Sequence, residues 1–233
     1  MKKVSKKLVA LLFAAVLAIA PVFATAVPVA AANYVMEFSQ TVTLYDSTSA
    51  KTIGNVTNGI SANVTMLGRT MKTNKPVRMT SNDKSVAVLE LQNGTGLARN
   101  RIFINVRAKK AGKAVISYKL GDITYKVNVT VKKYASPLAG LKLGTSNLTS
   151  RVSKKPVYKV PYKKYANKKV KLTFRGKSGW SVSASYTPSA TRTKSVNINN
   201  NGYFKVAKKN SSVVLYAYNM KTMQQESVVI QFI

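Results

Sequence analysis

Ile123-Thr124-Tyr125-Lys126-Val127-Asn128-Val129-Thr130-Val131 decides the fold class. Every odd-numbered member is apolar and every even-numbered member is polar. Side chains alternate between the two faces of a strand, so this period of two predicts a half-buried strand. Working outward, Gly121-Asp122 supplies a turn, and Ala114-Val115-Ile116-Ser117-Tyr118-Lys119-Leu120 supplies the preceding strand of a hairpin. Ile102-Phe103-Ile104-Asn105-Val106 is a further strand. Val, Ile, Thr and Tyr are plentiful from residue 33 onward, in short runs separated by Gly, Asn, Asp, Ser and Lys. No amphipathic helix is predicted there. Strands of this number and length predict an all-β protein built from two tandem β-sandwich domains after an N-terminal signal peptide.

The N-terminus carries the export signal. Lys2, Lys3, Lys6 and Lys7 precede an apolar run from Leu8 to Ala20, Pro21 breaks it, and small residues follow through Ala32. This is the order of a secretory signal peptide over residues 1–32, and the run falls short of the roughly 20 residues a membrane span needs. Cleavage after Ala32 or after Ala26 fits the small-residue rule, and an uncleaved anchor is the alternative reading. No second apolar run of membrane length follows, so no transmembrane segment is expected after cleavage. The absence of cysteine removes disulfides and suits a bacterial secreted protein more than a small eukaryotic one.

Residues 33–133 form the expected first domain, 134–138 a linker with charge before it and Pro137 within it, and 139–233 the second domain. The halves echo one another. Val106 to Tyr118 reads like Val206 to Tyr218, and Lys84-Ser85-Val86 recurs as Lys194-Ser195-Val196. An offset of about 100 residues means two copies of one module rather than a short-repeat solenoid.

Three segments of the first half resemble the bacterial immunoglobulin-like domains of group 2. They are Ser81-Asn82-Asp83-Lys84-Ser85-Val86-Ala87-Val88-Leu89, Val106 to Ile116 around Gly112, and Tyr125 to Val131. The likeness covers Pro76 to Lys133. It departs from the family pattern at Met79, where a Trp is common, and in the longer stretch Gln92 to Arg101. Ser195 to Val206 resembles a diverged second copy. The resemblance implies that the two tandem domains are immunoglobulin-like β-sandwiches, in a surface or secreted module that serves as spacer, adhesive unit or wall-associated element, with no shared catalytic residue to carry over.

Composition then narrows the chemistry. With no histidine and no cysteine, His-based triads, Cys nucleophiles and the usual zinc sites are excluded. The acids are Glu37, Asp46, Asp83, Glu90, Asp122 and Glu226, and the last is alone in its half. Paired-carboxylate hydrolysis needs two acids about 5–10 Å apart; Asp83 and Glu90, seven residues apart across one strand, read instead as a turn residue and an exposed strand end. Ser81-Asn82-Asp83-Lys84 and Gly176-Lys177-Ser178 imitate catalytic and phosphate-loop motifs without the helices those motifs open. No enzyme, cofactor or metal is expected.

Charge points to binding instead. The chain carries +32, and removal of the four signal lysines leaves 34 basic against 6 acidic residues, a net +28. Such a surface attracts polyanions. The densest run supplies Lys154, Lys155, Lys159, Lys163, Lys164, Lys168, Lys169, Lys171, Arg175 and Lys177 as candidate polyanion contacts. Tyr158, Tyr162, Tyr165 and Trp180 are the interleaved aromatics that would stack on sugars or bases. The alternative for the same residues is a solvated lysine face over core aromatics. The expected partners are an anionic cell-wall polymer, an acidic polysaccharide or another surface protein, with nucleic acid bound only without specificity. The predicted location is extracellular, at a bacterial wall.

Overall fold

The computed structural model describes residues 34–56, 63–188 and 195–233. The signal-peptide assignment to residues 1–32 lies outside the described residues, as does Lys194 of the repeat. The described residues all belong to one compact unit, and they build two face-to-face sheet pairs in succession.

In the first half, one sheet has the order β1 (Tyr34–Leu44), β7 (Ile123–Lys133), β6 (Gly112–Leu120), β3 (Val77–Ser81). The facing sheet has the order β2 (Val64–Met71), β5 (Arg101–Ala108), β4 (Ala87–Asn93). The segment that fixed the fold class is β7, paired antiparallel with β6 from Leu120↔Ile123 to Gly112↔Val131, as the hairpin reading expects. On its other side β1 runs parallel to it from Tyr34↔Ile123 to Leu44↔Lys133. Val127, Val129 and Val131 are buried against Val42, Ile104, Val106 and Ile116. Tyr125 and Ile123, on the same face, lie near the open end and are only half-buried. There the Tyr125 ring stacks on Tyr118 at 5.0 Å. Gly112 is required by close approach, since a Cβ there would lie 2.9 Å from Cγ2 of Val86.

The second half repeats the plan. One sheet has the order β10 (Val157–Val160), β16 (Gln224–Phe232), β15 (Ser212–Asn219), β12 (Trp180–Thr187), β13 (Val196–Ile198). The other has β14 (Gly202–Lys205), β11 (Lys169–Gly176), β8 (Leu138–Leu143), β9 (Ser146–Asn147). Again a strand, β10, runs parallel to the last strand, and the last two strands form a hairpin. The sequence echo therefore matches equivalent positions: β15 lies between β16 and β12 as β6 lies between β7 and β3. Leu141, Leu143, Leu172, Leu215, Ile230 and Phe232 fill the core between the sheets. The chain is all-β, two tandem immunoglobulin-like sandwiches.

One element departs from the sequence expectation. Ser47–Val56 is an α-helix, α1. Asp46 caps it, accepting from the Ser49 amide at 2.9 Å, and that hydrogen bond is the largest cause holding the Asp46 carboxyl below its ordinary range. Its buried stripe is Ser49 and Ile53, with Ala50 and Val56 alongside. Small and β-branched residues give so faint a helical period that the sequence does not announce it.

The helix matters because of where it packs. Ile53 belongs to the first half, yet it is buried with Val214 and Val229 of the second, beside Tyr45, Tyr134 and Tyr216. Segment 134–138 lies in this junction. The Tyr134 ring is 5.8 Å from Tyr45, its hydroxyl donates to the Val152 carbonyl at 2.8 Å, and Ser136 and Leu138 are buried. Beside it, Gln40 donates to the Met223 carbonyl, and the Ser227 amide donates to the Tyr45 hydroxyl. Oε1 of Glu226 accepts from Thr43 at 3.1 Å and from Gln224 at 2.8 Å. Oε2 has no protein partner. Burial raises the Glu226 carboxyl to about 8, although the two hydrogen bonds and Lys177 act the other way. Burial likewise drives the neighbouring Tyr45 and Tyr134 hydroxyls well above their ordinary range, so Glu226 meets only neutral partners there besides Lys177.

Two outcomes follow from the junction. Ile53→Ala removes a buried side chain and is expected to cost roughly 2–4 kcal/mol. The loss falls on the contact between halves, so calorimetry should resolve two transitions where the parent gives one. A single cooperative transition in the variant would mean the halves do not depend on α1. Glu226 holds its proton in the folded state between its unfolded value near 4.5 and about 8. The contribution of Glu226 to stability is therefore greatest below about pH 4.5 and declines by up to ~1.4 kcal/mol per pH unit toward pH 8, because the folded state binds the extra proton. Glu226→Gln should flatten that decline in thermal melts across pH 5–8. A decline that persists in the variant belongs to another group.

A cationic sheet face in the second half

Strand alternation builds this face. In β11, Val170, Leu172 and Phe174 point into the core. Lys169, Lys171, Thr173 and Arg175 therefore point outward. The neighbouring strands add to the same face. Phe204 of β14 is buried, which turns Tyr203 and Lys205 outward, and Leu141 and Leu143 of β8 are buried, which turns Lys142 outward. The ladders set the pairs: Lys169 opposite Lys205, Lys171 opposite Tyr203, Thr173 opposite Lys142. Lys164 reaches the edge of this sheet, its Nζ 3.3 Å from the Ser146 hydroxyl of β9. Lys168 leads directly into β11, and its carbonyl accepts from the Val206 amide at 3.2 Å.

No acid lies on these four strands. Like charges directly opposite on a sheet repel, and among the described residues no acid pairs with Lys169 or Lys205, and Lys169 meets only a ring. Nζ of Lys169 lies 5.2 Å from the centroid of Tyr203, which is 57% exposed. Such a contact is worth roughly 0.5–1 kcal/mol at an exposed site. It also leaves a ring beside a row of ammonium groups, which suits a ligand with sugar faces and anionic groups.

The structure divides the basic run read from the sequence. Lys169, Lys171 and Arg175 share the face, and Lys164 and Lys168 lie at its end. Lys154 and Lys155 sit exposed in the turn before β10, and Lys159 is on β10 of the opposing sheet. Lys163 lies on the helical turn α2 (Tyr162–Tyr165). Lys177 is in the β11–β12 turn, where its amide donates to the Pro137 carbonyl at 2.8 Å on the junction side.

The aromatics are corrected in part. Tyr165 is 7% exposed and meets Phe232 edge-on at 5.7 Å, so its ring has no face for a ligand. Tyr158 and Tyr162 are half-buried against the same core, and Tyr162 donates to the Ala207 carbonyl at 3.2 Å. Trp180 is half-buried at the start of β12, opposite Asn219. Sequence reading missed Lys142, Lys205 and Tyr203. The signal for the last two was the short alternation Gly202-Tyr203-Phe204-Lys205, which lies away from the dense basic run.

The acids are engaged elsewhere. Asp83 accepts from the hydroxyl and amide of Ser85, which lower its carboxyl below the usual range. Glu90 pairs with Arg107, and Glu37 accepts from Asn128 at 2.7 Å. Ser81 of the catalytic look-alike lies on strand β3 and donates to the Ala87 carbonyl at 2.8 Å. Among the described residues no three acids gather as a metal site would require, and no helix is long and apolar enough to cross a membrane.

No family model and no curated protein matches the chain. Solved structures similar to it include domains 5–6 of the S-layer protein SbsC, at 17% identity and TM-score 0.24, covering 68% of this chain and 81% of that one. The tandem Ig repeats of Dlar are similar at 9% identity and TM-score 0.34, covering 84% and 94%. The Drosophila N-cadherin EC1-3 fragment is similar at 10% identity and TM-score 0.23, covering 73% of this chain and 55% of that one. The chain spans only 20% of a longer SbsC fragment holding domains 1–6. At these scores the fold assignment rests on the strand ladders themselves.

Proposed function

We propose that the chain is an exported, non-enzymatic structural or adhesive protein of a bacterial envelope, held there partly by its positive charge. The observation that carries this reading is the outer face of β14-β11-β8-β9, where Lys169 and Lys205 oppose one another with no acid on the sheet. A soluble spacer has no use for that repulsion, whereas a polyanion outside the chain relieves it. Lysine outnumbers arginine on the face, and lysine acts as a mobile point charge rather than a planar fork. That favours a repetitive anionic polymer such as a teichoic acid over a fixed phosphate geometry. The resemblance of Pro76–Lys133 to group 2 bacterial immunoglobulin-like domains supports an extracytoplasmic module. A second reading, a dedicated binder of an acidic glycan or of DNA, is favoured by the exposed Tyr203 ring beside Lys169.

Fractionation of the producing cell tests retention. The protein is expected in the wall fraction and should elute at about 1 M salt, where exposed charges are screened beyond roughly 3 Å. Free protein in the medium at low salt would remove the anchoring mechanism. A dedicated binder would instead saturate on one soluble polymer at sub-stoichiometric charge.

Replacing Lys169, Lys171 and Lys205 with Gln should lower the salt slope of polyanion binding by up to about 2–3, close to one per lost contact. The matched set Lys154, Lys155 and Lys159 to Gln should change it much less. Equal effects of the two triples would mean the charge acts as a whole and no face is special. Lys205→Glu, which leaves Lys169 over the Tyr203 ring, should also stabilise the free protein by roughly 0.5 kcal/mol at low salt while weakening polymer binding. Destabilisation by that change would mean the repulsion is already relieved within the fold.

A further inference from the structure

We propose that the end of the first sandwich opposite the junction is a docking tip for an anionic phospholipid bilayer, entered by Leu97 and Met71 and ringed by Lys72, Lys75, Arg99 and Arg101. The ladders bring these residues together. Met71 closes β2 opposite Arg101 of β5, and the Lys72 amide donates to the Asn100 carbonyl at 3.0 Å. The β4–β5 connection is a fixed shape, not a slack loop. The Gly94 amide donates to the Arg101 carbonyl at 2.8 Å, and the Ala98 amide donates to the Thr95 carbonyl at 3.0 Å. Gly94 is buried, and a Cβ there would collide with the Ala98 carbonyl oxygen. This built turn lifts Leu97 to full exposure, and Met71 beside it is 44% exposed. The four surrounding cations are all exposed.

The facing sheet ends at the same pole in a similar mixture. Tyr34 and Met36 open β1 at 60% and 46% exposure. A shallow depression nearby is lined by Arg78, Ser117, Tyr118, Lys119 and Thr124, two cations and three hydroxyl-bearing side chains that suit a phosphate headgroup. Asp122, in the β6–β7 turn, is the acid at this end.

Charge complementarity selects an anionic partner, and the apolar tip narrows it further. A sugar-phosphate polymer offers counter-charges but no apolar phase for Leu97. The tip is a convex projection, which needs a partner that yields around it, and the boundary between headgroups and acyl chains does so. Interfacial binding of this kind scales with buried apolar area plus attraction to anionic lipid. This surface is separate from the cationic face of the second half.

The test uses the chain as exported and processed by a bacterial host, mixed with vesicles of phosphatidylglycerol and phosphatidylcholine, and with vesicles of phosphatidylcholine alone. Sedimentation with the anionic vesicles only is the expected result. Leu97→Ser with Met71→Ser should lower that partitioning roughly tenfold, with unchanged melting temperature and unchanged wall-polymer binding, since both side chains are exposed. The Gln triple at Lys169, Lys171 and Lys205 should retain most of the vesicle binding, which separates this surface from the wall-polymer reading. Vesicle binding that is indifferent to the two Ser changes overturns the tip. So does failure to bind anionic vesicles, and self-association that depends on Leu97 would then assign the tip to a second copy of the chain.

Discussion

Mutual repulsion among basic side chains is the constraint under which every other feature of this molecule is arranged. Strand alternation disperses the charge: each apolar residue sent inward on β7, β11 or β14 sends a neighbour outward, and those neighbours are mostly Lys, Thr or Asn. The interior stays neutral, with cores of Val, Ile, Leu and Phe. The few acids do not relieve the surface, because they are used in caps and turns at Asp46 and Asp83 and in a hydrogen bond at Glu37. Arg107 with Glu90 is the ion pair among the described residues. The remaining cations must find their counter-charges in salt or in another molecule, and binding to a polyanion releases the ions that otherwise surround them.

Without disulfides the two sandwiches depend on packing, and the junction between them is where packing and polarity meet. Ile53 of α1 closes over Val214 and Val229, an outer sheet surface that would otherwise face water. Beside it Glu226 sits buried among Thr43, Gln224 and Tyr45. A carboxyl in that place costs little while it keeps its proton, and its hydrogen bonds with Thr43 and Gln224 tie β1 to β16. Apolar closure supplies the stabilisation, and the hydrogen bonds of Gln40, Thr43 and Gln224 specify the alignment.

The legible and illegible parts of the sequence follow the same physics. Ile123 to Val131 was readable because nine residues keep one period, and the 106–118 and 206–218 echo was readable because equivalent strands face equivalent cores. Helix α1 was not, since Ser49, Ala50, Ile53 and Val56 form a stripe too small to register as amphipathic, and its partner surface lies some 160 to 180 residues further along the chain. The cationic face was half-legible. Lys169, Lys171 and Arg175 alternate within one strand, but Lys142, Tyr203 and Lys205 reach the face by pairing, which local sequence does not encode. Density of lysine also misled, because Lys154, Lys155 and Lys159 are close in sequence to the face yet lie on a turn and on the opposite sheet.

Two basic surfaces on one chain need not have the same partner, and the side chains interspersed with the cations distinguish them. On the second half the companions are Thr173, Asn201 and the Tyr203 ring, groups that accept hydrogen bonds or stack and lose little when water returns. On the first half the companion is Leu97 on a turn whose geometry leaves it wholly in water. An ordered backbone that exposes a leucine gains nothing in the free protein, since the same turn would close as well around a polar residue. Apolar exposure at that site, within a ring of cations, suits a partner with an apolar phase beneath an anionic surface. Salt acts on the two surfaces differently for the same reason: screening weakens the lysine face throughout, but it leaves the transfer of Leu97 out of water intact.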